Sequence, residues 1–97
     1  MLNANLFRFP ATIKTGCDLK ILVISPAAGL SDSALSLRKQ HLVEIASPET
    51  QIEVVKLNNG PASVEGTLDE YYAAPEILSR VIEAEKERYD AVVDHCF

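Results

Sequence analysis

The residues of this chain that could do chemistry stand together in the sequence Asp94-His95-Cys96. They close a short apolar stretch that is typical of a buried strand. Ligands of open parallel α/β sheets bind at the carboxyl ends of the strands, so a thiol there is placed to act as a nucleophile or a base. Cysteine is also often a small buried hydrophobic residue, and this alternative stays open for Cys96. Side chains alternate along a strand, so His95 should lie on the opposite face from Asp94 and Cys96, which argues against a Cys–His pair.

The elements that must position these residues alternate along the chain. Strands are predicted for residues 20–25, 51–57 and 90–95, and helices for residues 34–46 and 75–88. Each helix has an apolar stripe expected to face the core: Leu35, Leu42, Ile45 and Ala46 in the first, and Ile77, Leu78, Val81 and Ile82 in the second. The charged residues Arg38, Lys39 and Glu44 lie elsewhere on the first helix. Ser31, Asp32 and Ser33 offer oxygens for capping the first helix, and Pro75 suits the first turn of the second. We therefore predict an α/β fold, a three-layer doubly wound parallel sheet of the form β-α-β-α-β with strand order 2-1-3.

Two regions are expected along the chain. Residues 1–19 show no period and are predicted to be an N-terminal extension, in which Cys17 is structural or incidental. Residues 20–97 form the α/β domain. The segment Ala91-Val92-Val93 is predicted to form an uncovered edge of the sheet. Because such an edge is a template for another chain, we expect a homo-oligomer.

Composition narrows the classes of partner. The chain has 97 residues, is 47% hydrophobic and 24% charged, and carries a net charge of -5. No basic patch is evident that could neutralise phosphates, so no nucleic-acid partner is expected. The apolar runs are too short for a membrane span, and no signal peptide is evident, so we expect a cytoplasmic protein without a membrane partner. Two distant cysteines indicate neither a zinc site nor a disulfide framework.

Two other classes of site are excluded by the loop after the first predicted strand. An acid such as Asp94 on the third strand would suit a response-regulator receiver domain, but such a domain needs acids after its first strand to hold Mg²⁺. Here that strand ends in Ser25-Pro26-Ala27-Ala28, which offers no carboxylate ligand. The single Gly29 does not make a phosphate-binding loop, because such loops need several glycines at fixed spacing.

Three segments resemble the Asp/Glu/hydantoin racemase family, most closely its hydantoin racemase branch. Ser25-Pro26 after the first strand is similar to the family's Asn-Pro-Asn-Thr/Ser motif. Residues 60–66, Gly-Pro-Ala-Ser-Val-Glu-Gly, are similar to its Gly-Pro-x-Ser-Ile-Glu-Gly loop. Residues 89–97 are similar to the strand that ends in Cys-Phe. The resemblance covers residues 20–97 and corresponds to the N-terminal half of a family member.

The resemblance implies a function and a set of site residues. Family members have two similar halves that face each other across a cleft, and each half supplies one cysteine. One thiolate removes the proton from the substrate α-carbon and the opposite thiol returns a proton, without pyridoxal phosphate, metal or any other cofactor. The implied substrate is a small molecule: an amino acid, a hydantoin or a related carboxylate. The implied catalytic residue is Cys96, and the implied substrate-binding residues are Ser25, Pro26, Ser63, Glu65 and Gly66.

The sequence also departs from the family pattern. Ala27 replaces the asparagine that follows the proline, and the second catalytic cysteine is not in this sequence. We therefore expect a racemase-like chain truncated at its first cysteine and inactive alone. Asp94 and the carboxylate of Phe97 disfavour another negative charge nearby, so we expect an ordinary pKa for the Cys96 thiol. The alternative is a non-catalytic α/β domain that binds a small anion or self-associates.

Overall fold

The computed structural model describes residues 3–8 and 19–96. The elements in chain order are β1 (Asn3–Arg8), β2 (Lys20–Ser25), α1 (Asp32–Ile45), β3 (Gln51–Lys56), α2 (Thr67–Lys86) and β4 (Ala91–Cys96). They build a four-stranded sheet in the order β1-β4-β2-β3. β2 pairs in parallel with both β3 and β4. The parallel strands β2, β3 and β4 thus have the predicted order 2-1-3, with β3 at an edge, and the predicted α/β fold is confirmed.

The strand β1 was not predicted, and it changes the edge of the sheet. β1 runs antiparallel to β4, with Asn3 opposite Cys96 and Arg8 opposite Ala91. The edge of Ala91-Val92-Val93 is therefore covered by the chain itself, and the prediction of an uncovered edge there is wrong. The sequence of β1 does not alternate between apolar and polar residues, so it gives no local signal of a strand. The strand forms because its backbone pairs with the N–H and C=O groups that β4 would otherwise expose. A homo-oligomer remains a prediction, and Cys17 lies outside the described residues.

The main core lies between the sheet and α2. Leu22, Ile24 and Val92 of the central strands are almost fully buried there. Ala73 and Ala84 of α2, each 1% exposed, bring the helix backbone close to the sheet. The rest of this core is formed by Leu57 and Tyr89, with Ala28, Val55, Ile77 and Val81 packed against it.

The two helices differ from their predictions in bounds and faces. α2 begins at Thr67, so Pro75 lies inside the helix and not in its first turn. One lost backbone hydrogen bond at Pro75 is outweighed by the additional turns, which contain good helix formers. In α1, the hydroxyl of Ser31 accepts from the backbone N–H of Ala34 at 3.2 Å, which makes Ser31 the cap among the predicted candidates. Ile45, predicted to face the core, is 82% exposed because α1 ends there.

The amino ends of β2 and β4 are joined by a reciprocal pair of hydrogen bonds. The backbone N–H of Lys20 donates to Oδ2 of Asp90 at 2.8 Å, and the N–H of Asp90 donates to the carbonyl of Lys20 at 2.7 Å. Asp90 is buried. The Lys20 ammonium lies 4.2 Å from the ring centre of Tyr89. The amino ends of these strands are thus held together by polar contacts. Ligands of such sheets bind at the opposite end, where the parallel strands have their carboxyl ends.

Candidate functional site

The candidate site lies at the carboxyl edge of the parallel strands. β2 ends at Ser25, β3 at Lys56 and β4 at Cys96. Since these strands are parallel neighbours, the loop after β2, the loop after β3 and the end of β4 share one edge of the sheet. The structure therefore brings the predicted segments to one place in the fold.

The loops after β2 and β3 are joined by two backbone hydrogen bonds. The N–H of Ala28 donates to the carbonyl of Pro61 at 2.7 Å, and the N–H of Gly29 donates to the carbonyl of Ala62 at 3.0 Å. A Cβ atom on Gly29 would lie 2.6 Å from the oxygen of Ala62. Glycine is thus required at position 29 by the close approach of another backbone, and not by a phosphate. This junction links the Ser25-Pro26 segment to the segment that contains Ser63.

The turn after β3 is anchored to α2 by Glu76. The N–H of Asn58 donates to Oε2 of Glu76 at 2.8 Å, and that of Asn59 donates to Oε1 at 2.7 Å. Arg80, one helical turn further on, lies 3.6 Å from Oε2. Burial alone would raise the pKa of Glu76, but the two N–H donors and the Arg80 guanidinium outweigh it, so the pKa lies below its usual value. Sequence reasoning missed Glu76, because nothing local marks a helical glutamate as the acceptor of a distant turn.

Ser25 and Pro26 lie below the surface of this edge. Ser25 is only 1% exposed, and Pro26 is buried. The hydroxyl of Ser25 accepts a hydrogen bond from Nη1 of Arg38 at 3.3 Å. Arg38, which the sequence pattern had left among the outer charges of α1, is half-buried and reaches the end of β2. Ser25 is thus positioned as a support for Arg38.

A second cation reaches the same edge. Nζ of Lys56, the last residue of β3, donates to the carbonyl of Leu30 at 2.7 Å. Lys56 is half-buried and so ties the loop after β2 to the end of β3. Arg38 and Lys56 thus place two cationic groups at an edge that also carries the acidic residues Glu65, Asp69 and Asp94. A cationic group at such an edge can attract an anion or a developing oxyanion.

Ser63, Glu65 and Gly66 lie on the surface at the start of α2. All three residues are exposed. The N–H of Glu65 donates to Oδ2 of Asp69 at 3.0 Å, and Gly66 is the N-cap residue of α2. A helix N-terminus carries partial positive charge, and in α2 the acidic residues Asp69 and Glu70 lie in the first turn.

Cys96 is the last residue of β4. Asp94 pairs with Ile24 of β2 on one side and with Asn5 of β1 on the other, so the end of β4 is held between two strands. Asp94 and His95 are half-buried. The side chain of Cys96 is not among the described parts of the structure, so its catalytic role stays a prediction.

Within residues 3–8 and 19–96, no group of three or more His, Cys, Asp or Glu side chains could hold a metal ion. None of the helices described is long and apolar enough to cross a membrane.

Comparison with known proteins supports, at a coarse level, a relationship between this chain and racemases. The chain is 35% identical over 80 residues to a hydantoin racemase of Pseudomonas sp. (strain NS671). The aligned region takes in 81% of this chain and 31% of the relative, so the chain spans about a third of the relative's length. No family model matches the chain, and no solved structure matches it significantly. The chain is similar to a hydantoin racemase along most of its own length.

Proposed function

We propose that this chain carries one proton-transfer half of a cofactor-independent isomerase of the hydantoin racemase type. The observation that carries the proposal is the 35% identity to the Pseudomonas racemase over 80 residues. The arrangement of the carboxyl edge supports it, because β4 delivers Cys96 to the same edge as the two joined loops. An α/β sheet binds ligands at such an edge.

The proposed chemistry is proton transfer at a carbon next to a carbonyl group. Racemisation requires a base on one face of that carbon and an acid on the other. Cys96 would be the base on one face: its thiolate takes the α-proton, and the electron pair moves into the neighbouring carbonyl to give an enolate. The thiol for the opposite face would come from a segment beyond the present sequence, as the greater length of the relative suggests.

Positive charge at the edge would stabilise the enolate. Arg38, supported by Ser25, and the N-terminal end of α2 at Gly66 are the described groups suited to a developing oxyanion. The N–H of Glu65 is taken by Asp69, so we assign substrate contact in this loop to Ser63, the side chain of Glu65 and Gly66. Ser25 and Pro26, both buried, would shape the floor of the site.

Titration of the isotopically labelled protein with a 5-substituted hydantoin tests this proposal by NMR. We expect chemical-shift changes for backbone amides of residues 26–30 and 61–66 and for Cys96, at millimolar hydantoin. Succinate and inorganic phosphate serve as comparison ligands. Phosphate that shifts these amides while hydantoin does not would favour the non-catalytic anion-binding domain. Hydantoin shifts confined to the amino edge, around Lys20 and Asp90, would contradict the proposed site.

A further inference from the structure

The helix α2 is apolar on two opposite sides. One side is the core face, with Ala73 and Ala84 buried against the sheet. The other side carries large apolar residues that are between 49% and 71% exposed. This second side, here termed the outer stripe, consists of Leu68, Tyr71, Tyr72, Leu78 and Ile82. Leu78 and Ile82 were predicted to belong to the core stripe, but they lie on the far side of the helix from Ala73 and Ala84.

The spacing of the outer stripe is that of a packing face. Its members recur at intervals of three and four residues, and the intervening stripe positions hold Pro75 and Ser79. At 1.5 Å per residue the stripe runs for about 21 Å along the helix. From Leu68 to Ile82 no stripe position carries a charge. A helix with apolar residues on both sides is normally covered on both sides.

We propose that the outer stripe packs against the same stripe of a second copy of this chain, with the two helices antiparallel. The charges at the ends of α2 favour this direction. Asp69 lies in the first turn and Lys86 in the last, and Lys86 follows Ile82 by one turn along the stripe. Antiparallel helices place each Lys86 beside the acidic start of the other helix, where Glu65 is also exposed. Parallel helices would place like charges and like dipole ends together.

The sequence of the stripe also fits a two-fold axis near Pro75. Residues at equal distances from position 75 then face each other across the axis. Leu68 meets Ile82 of the second copy, and Tyr72 meets its Leu78. By the same rule Tyr71 meets Ser79 of the second copy, so every opposed pair is uncharged and two of the pairs are apolar on both sides.

The size of the stripe sets the expected strength of the pair. A buried aromatic side chain covers roughly 150–250 Å², so the stripe offers on the order of 500 Å² per copy. Two copies would bury about 1,000 Å², at the lower end of specific interfaces. We therefore expect a weak dimer with a dissociation constant on the order of 1–100 µM.

The helix α1 provides the matched comparison. It also exposes apolar residues, namely Leu37, Val43 and Ile45. At 100° per residue these three side chains point in widely separated directions, so they make no continuous stripe. Substitution on α1 therefore changes exposed apolar surface without touching the proposed interface.

Sedimentation velocity of the full chain under reducing conditions, from about 5 to 500 µM, tests the proposal. The unsubstituted chain should pass from monomer to dimer over this range. Tyr71→Glu and Leu78→Glu should each leave a monomer at every concentration, with an unchanged far-UV circular dichroism spectrum. Leu37→Glu on α1 should leave the dissociation constant unchanged, and Lys86→Glu should raise it about tenfold, as expected for the loss of two symmetry-related exposed ion pairs.

Three results would overturn the proposal. The first is a monomer at 500 µM. The second is a dimer that survives both Tyr71→Glu and Leu78→Glu. The third is a dimer that Leu37→Glu weakens as much as the stripe substitutions do, since the interface would then not be specific to α2.

Discussion

Glu76 holds the turn after β3 in place from the neighbouring helix. Its carboxylate accepts hydrogen bonds from the N–H groups of Asn58 and Asn59 at 2.8 and 2.7 Å. Hydrogen bonds to charged groups contribute roughly 1.5–3 kcal/mol each, and part of this is recovered when water replaces the acceptor of an exposed turn. The residue connects the stability of α2 to the geometry of the carboxyl edge.

We predict that Glu76→Gln lowers the free energy of unfolding by about 1–2 kcal/mol at pH 7. The pKa of Glu76 in the folded chain is lowered, so its contribution is fully present above the unfolded value of about 4.3 and is lost as the pH falls through the folded value. The difference in the free energy of unfolding between the unsubstituted chain and Glu76→Gln should therefore be smaller at pH 3.5 than at pH 6. Urea unfolding followed by circular dichroism measures this difference at each pH. Glu83→Gln, on an exposed site of the same helix, is the control, and an equal gap at both pH values would contradict the assignment.

The glycines of the two site loops make a second matched pair. A Cβ on Gly29 would lie 2.6 Å from the oxygen of Ala62, whereas a Cβ on Gly66 would meet nothing within 4 Å. The φ of Gly66, -167°, is extended backbone that any residue adopts. We predict that Gly29→Ala lowers the free energy of unfolding by about 2 kcal/mol, while Gly66→Ala lowers it by less than about 1 kcal/mol, the preference of an N-cap for glycine over alanine. Equal effects of the two substitutions in urea unfolding would show that the loop junction is not a close contact.

At the scale of the elements, α2 ends in a left-handed residue that is not glycine. Arg88, just past the C-cap Glu87, has φ 67°. The following N–H, of Tyr89, donates back to the carbonyl of Ala84 at 3.0 Å. Glycine adopts this conformation without the steric cost that a Cβ brings.

We predict that Arg88→Gly raises the free energy of unfolding by about 0.5–1 kcal/mol. Glu85→Gly, inside the same helix, should lower it by about 1 kcal/mol. Thermal and urea unfolding of the two variants at one protein concentration measure both effects. A loss of stability in Arg88→Gly as large as that in Glu85→Gly would mean that the backbone at position 88 does not require the left-handed region.

The order of the elements was predictable because β2 has a continuous apolar run, β4 has a short one, β3 alternates in part, and each helix has a repeating apolar stripe. Strand order followed from the right-handed crossover rule. β1 was not predictable, since its pairing depends on backbone groups of β4 and not on its own pattern. The start of α2 was missed for a related reason. Pro75 is a strong local signal for a helix start, and the cooperative gain from earlier turns overrode it.

The carboxyl edge as a site was predictable from topology, whereas its polar contacts were not. Gly29 and residues 60–66 were noted in the sequence, but their mutual backbone hydrogen bonds join two loops far apart in the chain. The contact of Arg38 with Ser25 likewise depends on the packing of α1 over the end of β2. Local sequence patterns carry no information on such long-range pairs.

At the scale of the whole molecule, the chain corresponds to about a third of the racemase that it resembles. Under the proposed function it supplies a base on one face of the substrate carbon. A single thiol that removes an α-proton can return a proton, or a deuteron from solvent, only to the same face. Under this proposal, the chain would exchange the α-proton for deuterium without inverting the configuration of the α-carbon.

The most direct test of the central claim is to incubate one enantiomer of a 5-substituted hydantoin with the chain in D₂O near pD 8. Deuterium at the α-carbon and enantiomeric purity are then followed in the same samples by NMR and chiral chromatography. We predict that deuterium enters the α-carbon faster than with the Cys96→Ser variant. We also predict that enantiomeric purity falls no faster than by the slow spontaneous racemisation of the hydantoin. Racemisation that depends on Cys96 and keeps pace with exchange would contradict the one-sided site, and exchange equal to that of Cys96→Ser would contradict the role of Cys96 as the base.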